Sequence, residues 1–259
     1  MNIHIGTSGF DYDDWSGVLY GPDTKRKDRL KIYAQNFSTL ELNYTYYSMP
    51  DERNIAAMIE VTEGNLSFSV KANKVLTHTP GNIEENAVLF KKALQGLSEK
   101  RLLSAVLFQF PYSFHYTPEN RKHLSTLLNI FGELPCCVEF RNDEWSGQSV
   151  ISGLRKRGVA LCSTDMPDLP GLSPGFDLQT ADFGYLRLHG RNRDSWWSGD
   201  NVTRYDYNYT DREIESVAVR VSNLALKNDN VFVFFNNHRK GNAVKNAFKL
   251  QERLKSVQP

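Results

Sequence analysis

Short apolar runs alternate with amphipathic stretches along the whole chain. The runs are IHIGTSG (3–9), LELNYTYY (40–47), SFSVKAN (67–73), SAVLFQF (104–110), CCVEFR (136–141), ALCSTD (160–165), GYLRLHG (184–190) and VFVFFNN (231–237). Each has the length and composition of a buried strand. Between most of them the apolar positions fall at helical spacing, over residues 51–61, 84–97, 118–131, 147–158, 211–226 and 242–257. Thr117-Pro118 reads as an N-cap with proline in the first turn, and Thr210 with Glu213 as a capping box. Eight strands alternating with helices over 259 residues predict an α/β fold. The expected architecture is a single (β/α)8 TIM-like barrel occupying residues 1–259, with an open doubly wound sheet as the alternative.

Side chains alternate faces along a strand, so each run divides into two sets. Leu40, Leu42 and Tyr44 oppose Glu41, Asn43 and Thr45; Val70 opposes Lys71; Val138 and Phe140 oppose Glu139 and Arg141. Ala160 and Cys162 oppose Ser163 and Asp165, and Leu186 and Leu188 oppose Arg187 and His189. With helices covering the apolar sets, the polar sets are expected to share one interior. They sit late in their runs and so converge on the strand C-terminal end, where barrels of this kind build their sites.

Composition narrows the partners. A formal net charge of +1 argues against a surface shaped wholly for nucleic acid, although charge can cluster on one rim. The start MNIHIGTSGF has no basic-then-apolar leader and no long apolar run follows, so a cytoplasmic protein without signal peptide or membrane span is expected. Cys136, Cys137 and Cys162 match neither a disulfide framework nor zinc spacing and read as buried thiols.

The candidate chemistry lies at the strand ends. Glu139, His189 and Asp165 are the acid–base candidates, and each has a structural alternative: an ion pair, a satisfied core histidine, a turn start. Asn43, Lys71, Gln109, Arg141, Arg187, Arg191, Asn236, Asn237 and Lys240 are the substrate-binding candidates. Lys71 suits anion binding, with Schiff-base chemistry as a lesser option should burial depress its pKa. Gly190 would let backbone approach a ligand, and Lys240 with the start of the last helix would hold a phosphate. No cofactor is required by the sequence. A divalent metal is compatible with His78, Glu139, Asp165 and His189, but no local motif joins them. The excursion RNRDSWWSGDNVTRYDYNYT (191–210) interleaves arginines with aromatics after the seventh run, the composition of a lid, a stacking surface or a satellite core.

GTSGF with Trp15, then ELNYTYY, FSVKAN, FQFP, VEFR, YLRLHGRN and FFNNHRKGNAVKNA, in that order, resemble the DUF72 (YecE-like) proteins from Ile5 to about Leu250. The resemblance implies a TIM-like barrel and names no reaction. Three functions are therefore compared. The first is an enzyme using acid–base chemistry on a phosphorylated or carboxylated substrate. The second is a nucleic-acid-binding or phosphodiester-cleaving protein, suggested by the family's fold kinship to endonuclease IV. The third is a non-catalytic barrel that binds a small anion.

Overall fold

Each apolar run becomes parallel strand in the computed structural model, which describes residues 2–78, 82–200 and 203–256. The strands are β1 (Asn2–Thr7), β2 (Thr39–Leu42), β3 (Ser67–Lys71), β4 (Leu103–Gln109), β5 (Cys136–Glu139), β6 (Ala160–Leu161), β7 (Ser163–Asp165), β8 (Phe183–Leu188) and β9 (Asn230–Phe235). They form two sheets, ordered β1-β9-β8-β7 and β2-β3-β4-β5-β6, with every pairing parallel. The sheets approach each other at two seams. One is Cys162, which divides a single run into β6 and β7; the other is a bridge between Ser8 and Glu41.

The helices are α1 (Arg29–Asn36), α2 (Tyr44–Tyr47), α3 (Glu52–Val61), α4 (Lys74–Thr77), α5 (Ile83–Glu99), α6 (Pro118–Ile130), α7 (Gln148–Lys156), α8 (Asp211–Ala225) and α9 (Asn242–Lys255). Their starts are chemically marked. Thr117 accepts from the Asn120 N–H with Pro118 in the first turn, and Thr210 and Glu213 close a reciprocal capping box. Among the described residues, no helix is long and apolar enough to cross a membrane.

Two apolar clusters show how the sheets are used. The larger packs one strand face, including Val70, Phe108, Val138, Leu186 and Val233, against helix residues such as Phe90, Leu94 and Leu250. The smaller joins Ala105, Leu107, Cys137, Ala160 and Cys162 of one sheet and its seam to Tyr185, Phe232 and Phe234 of the other. The two sheets therefore face each other across a common interior, which the three free, buried cysteines help to fill or border.

The backbone departs from expectation at two site-bearing runs. The run 40–47 leaves extended conformation at Asn43 and turns into α2. Thr45 drives this turn by donating to the carbonyls of Leu42, at 3.0 Å, and Lys71, at 2.6 Å. The expected row of Glu41, Asn43 and Thr45 therefore does not form. In the run 160–165 the faces are exchanged. Cys162 enters the small interior cluster, whereas Asp165 bonds to Arg220 of α8 on the helix side.

Candidate functional site

Arg187 is the crosspiece of the interior. Its Nε and Nη2 donate to the two oxygens of Glu41 at 3.0 and 2.7 Å, and its Nη1 donates to Glu139 Oε2 at 2.5 Å. The guanidinium is 1% exposed and both carboxylates are fully buried. One residue of β8 thus ties β2 to β5 across the interior. Isolated, each of these charges would be prohibitive there; together, the bidentate fork on Glu41 and the second carboxylate satisfy them.

A shell of hydrogen bonds fixes the two acids. Ser8 Oγ and Tyr185 OH each donate to Glu41 at 2.7 Å, and Ser69 Oγ lies 2.6 Å from the Tyr185 hydroxyl. Glu139 Oε1 lies 2.5 Å from Arg141 Nε and 3.3 Å from His189 Nε2. Burial raises the Glu139 carboxyl, but Arg141 and Arg187 overcome that and hold it well below the usual carboxylate range. His189 is pushed down to about 3, first by burial and then by Arg141, and so stays neutral. Asn236 Nδ2 lies 3.0 Å from His189 Nδ1, which orients the ring. Arg141 Nη2, which can only donate, lies 3.2 Å from His189 Nε2, so Nε2 is the acceptor of the neutral ring and Nδ1 carries its proton on the Asn236 side.

Above this network, at the strand C-terminal ends, lies a cleft of about 430 Å³. Lys71, Arg141, Arg187 and Arg204 line it, and among the described residues no Asp or Glu does. Asn43, Gln109 and Asn236 line it too, with Tyr12, Tyr46, His78 and His238 completing the wall. Gln109 donates to the Phe110 carbonyl at 2.7 Å, while Asn43 Oδ1 is buried without a hydrogen-bond partner. Lys71 is half-buried, with Nζ 4.4 Å from the centre of the Tyr46 ring. Burial and then Arg187 lower its amine to about 7. His78 is lowered to about 4 by burial and Lys71, so it too is neutral; its Nδ1 lies 2.8 Å from Thr77 Oγ1.

The long loop roofs the cleft. Trp196 is buried, with Arg141 5.6 Å and Arg204 5.9 Å from its ring. Trp197 is 52% exposed and stands edge-on to Tyr112 at the mouth. Residues 201 and 202 of this excursion lie outside the described residues.

The remaining candidates lie elsewhere. Asp165 accepts from Arg191 Nε and Nη2 at 2.8 and 2.7 Å, from Arg220 Nη1 at 3.0 Å and from Tyr209 OH at 2.9 Å. Arg191 is thereby committed to that cluster and to Glu213. Asn237 donates to the Tyr207 carbonyl and to Asn246 Oδ1, both at 2.8 Å, tying the loop to α9. Lys240 pairs with Asp206 at 2.9 Å and its N–H donates to Asp14 Oδ2, so carboxylates occupy the place expected for phosphate. Gly190 has φ +87°, and a Cβ there would fall 2.5 Å from Tyr207 Cβ, so its close neighbour is the loop. Among the described residues no three His, Cys, Asp or Glu side chains converge as a metal-ligand set. Glu139 is engaged by guanidinium groups and Asp165 is filled in its own cluster, so the mixed ligand set considered for His78, Glu139, Asp165 and His189 does not assemble.

Sequence reasoning missed Tyr185 and Ser8, which read as core or loop residues, and Arg220, an isolated cation in VAVRVSNL of α8. Strand parity sets Ser69 on the inward face beside Lys71 but does not mark it as a site residue. Tyr12 and His238, stacked with centroids 4.5 Å apart on the cleft wall, are also contacts between distant loops.

The family described as "Protein of unknown function DUF72" matches residues 4–259. The chain is 30% identical to the UPF0759 protein YunF of Bacillus subtilis, over 97% of this chain and 94% of that one. A DUF72 family protein from Thermotoga maritima superposes with a TM-score of 0.92 at 33% identity, covering 98% of this chain and 100% of that one. One from Enterococcus faecalis gives 0.87 at 25%, covering 99% and 97%. A D-allulose 3-epimerase from Methylomonas shares the fold at a TM-score of 0.51 and 10% identity, covering 99% and 98%. The Arg187 crosspiece and the cationic cleft above it are thus carried by a chain that belongs to the DUF72 family.

Proposed function

We propose that this protein is an enzyme whose cleft binds a small phosphorylated or carboxylated substrate and moves a proton on it. The observation that carries this reading is the sign of the lining, which among the described residues has four cationic side chains and no carboxylate. Two of them, Arg187 and Arg141, are balanced by Glu41 and Glu139 behind the wall. Among the described residues Arg204 and Lys71 have no carboxylate partner, and in a partly buried site such a charge attracts an anion far more strongly than in water. Glu41 and Glu139 serve as counter-charges that hold Arg187 and Arg141 in place, and His189 supports Glu139 from the side. Lys71 and His78 are the groups facing the cleft that suit proton transfer. The aromatic mouth, with Trp197 and Tyr112, suits a sugar or flat ring attached to the anion.

Sulfate is a suitable probe because it keeps both charges across the neutral range. Calorimetry is expected to show saturable binding, weakened about tenfold by Arg204→Ala, the loss of roughly 1.4 kcal/mol from one charge contact. Equal affinity in the variant, or no saturable binding, would discard the reading. Binding that strengthens with the length of a single-stranded oligonucleotide and falls steeply with salt would favour the nucleic-acid alternative. Ligand affinity without turnover on any phosphorylated or carboxylated compound would favour the non-catalytic one.

The same titration has a signed pH dependence. Lys71 is protonated below about pH 7 and neutral above it. Sulfate affinity is therefore expected to fall as pH rises from 6 to 8, with proton uptake on binding measurable in buffers of different ionisation enthalpy. Lys71→Met should flatten the profile; an unchanged profile in that variant would assign the titration elsewhere.

A further inference from the structure

We infer that Lys71 is a carbonyl-capturing amine, forming an imine with an aldehyde or ketone that carries a phosphate or carboxylate. This deepens the anion-binding reading and rests on it, because the anion is what brings the carbonyl to the amine.

The two carboxylates of the interior are committed elsewhere: Glu41 to Arg187, Tyr185 and Ser8, and Glu139 to Arg187 and Arg141. Among the described residues no carboxylate forms an ion pair with Lys71, and its charged end has only the Tyr46 face, 4.4 Å away. Glu139 and Glu41 attract the amine through space and the Tyr46 face touches it, but burial and Arg187 outweigh them. A charged lysine is therefore a poor structural choice where a methionine would pack without the desolvation. The arrangement does serve a nucleophile. Burial and neighbouring cations bring the amine to about 7, so near neutrality about half is free base. An ordinary lysine has on the order of a thousandfold less.

The step balances without a co-reactant. The Nζ lone pair attacks the carbonyl carbon as the C–O π pair moves onto oxygen, giving a carbinolamine. The C–O bond then breaks as C=N forms, and the two amine protons leave with the oxygen as water. Arg141 and Arg204 hold the anionic group, and His78, a neutral imidazole on the same wall, accepts and returns the proton between nitrogen and oxygen.

The full-length protein is incubated with pyruvate or dihydroxyacetone phosphate, reduced with borohydride and analysed by intact mass and peptide mapping; acetone is the anion-free control. The expected result is one adduct, on Lys71, formed at least roughly tenfold faster than on any other lysine. Sulfate should suppress it, acetone should not produce it, and Lys71→Arg and Lys71→Met should lack it. Lys71→Met should also melt no lower than the parent, whereas a structural lysine would cost stability. Adducts spread over surface lysines, or none on Lys71, with sulfate still bound, would overturn the imine inference and leave the anion reading standing. Absence of sulfate binding itself would remove the reading beneath it.

Discussion

Replacing Arg187 with methionine is expected to destabilise the protein by about 3–5 kcal/mol, the cost of leaving buried charges without their partner. For a chain of this size that corresponds to a fall in Tm of about 10 °C. The reason is geometric: Glu41 and Glu139 are 0% exposed and share this one guanidinium, so no water replaces it. The deficit should depend on acidity in a definite direction. A carboxyl held below its ordinary pKa contributes stability above the unfolded value, about 4.3, and loses it as pH falls through the folded value. Glu139 is such a group, so the gap between parent and variant should be widest near neutral pH and narrow as pH falls into the acid range. Thermal melts from pH 3 to 8 measure both quantities. A variant within 1 °C of the parent at pH 7 would show that the crosspiece is not a stabilising element.

Asp165→Asn is expected to cost about 2–3 kcal/mol, since four charge-assisted or hydroxyl hydrogen bonds from three side chains end on one carboxylate. Its second effect matters more for the site. Because Asp165 faces Arg191 and Arg220 instead of the cationic cleft, sulfate affinity should stay within about twofold of the parent, under 0.5 kcal/mol. Calorimetry alongside melting separates the two. Retained stability with lost anion affinity would place Asp165 in the substrate site after all.

That second prediction also marks where sequence and structure part. Apolar runs, amphipathic helices and caps were legible because each depends on residues close in the chain, as at Thr117 and Thr210. Convergence of Lys71, Gln109, Arg141 and Arg187 on one end followed from strand parity and is what the cleft displays. Parity alone, however, does not say which face is inward. In the run 160–165 the choice was made by Arg220, fifty-five residues away on α8, and by small residues able to fill the interior. The turn at Asn43 was hidden for a similar reason, since the Lys71 carbonyl that Thr45 grips belongs to another strand. The short α1, with only Leu30 and Tyr33 buried, carries too little apolar periodicity to be read. Lys240 illustrates the remaining gap: its loop has the composition of an anion site, but Asp14 and Asp206 arrive from distant segments to fill it.

The crosspiece has a consequence for how the chain folds. Arg187 lies 146 residues from Glu41 and 48 from Glu139. A polypeptide still lacking β8 holds Glu41 in its nascent interior without its cation, and Glu139 with Arg141 alone. Such an intermediate keeps those carboxyls in reach of water, so the first five strands gain little by closing early. Contacts of this sequence separation are slow to form and reward only the complete chain. Docking of β8 therefore acts as the commitment step that couples the two sheets into a single cooperative unit, and fragments ending before it should remain loosely collapsed.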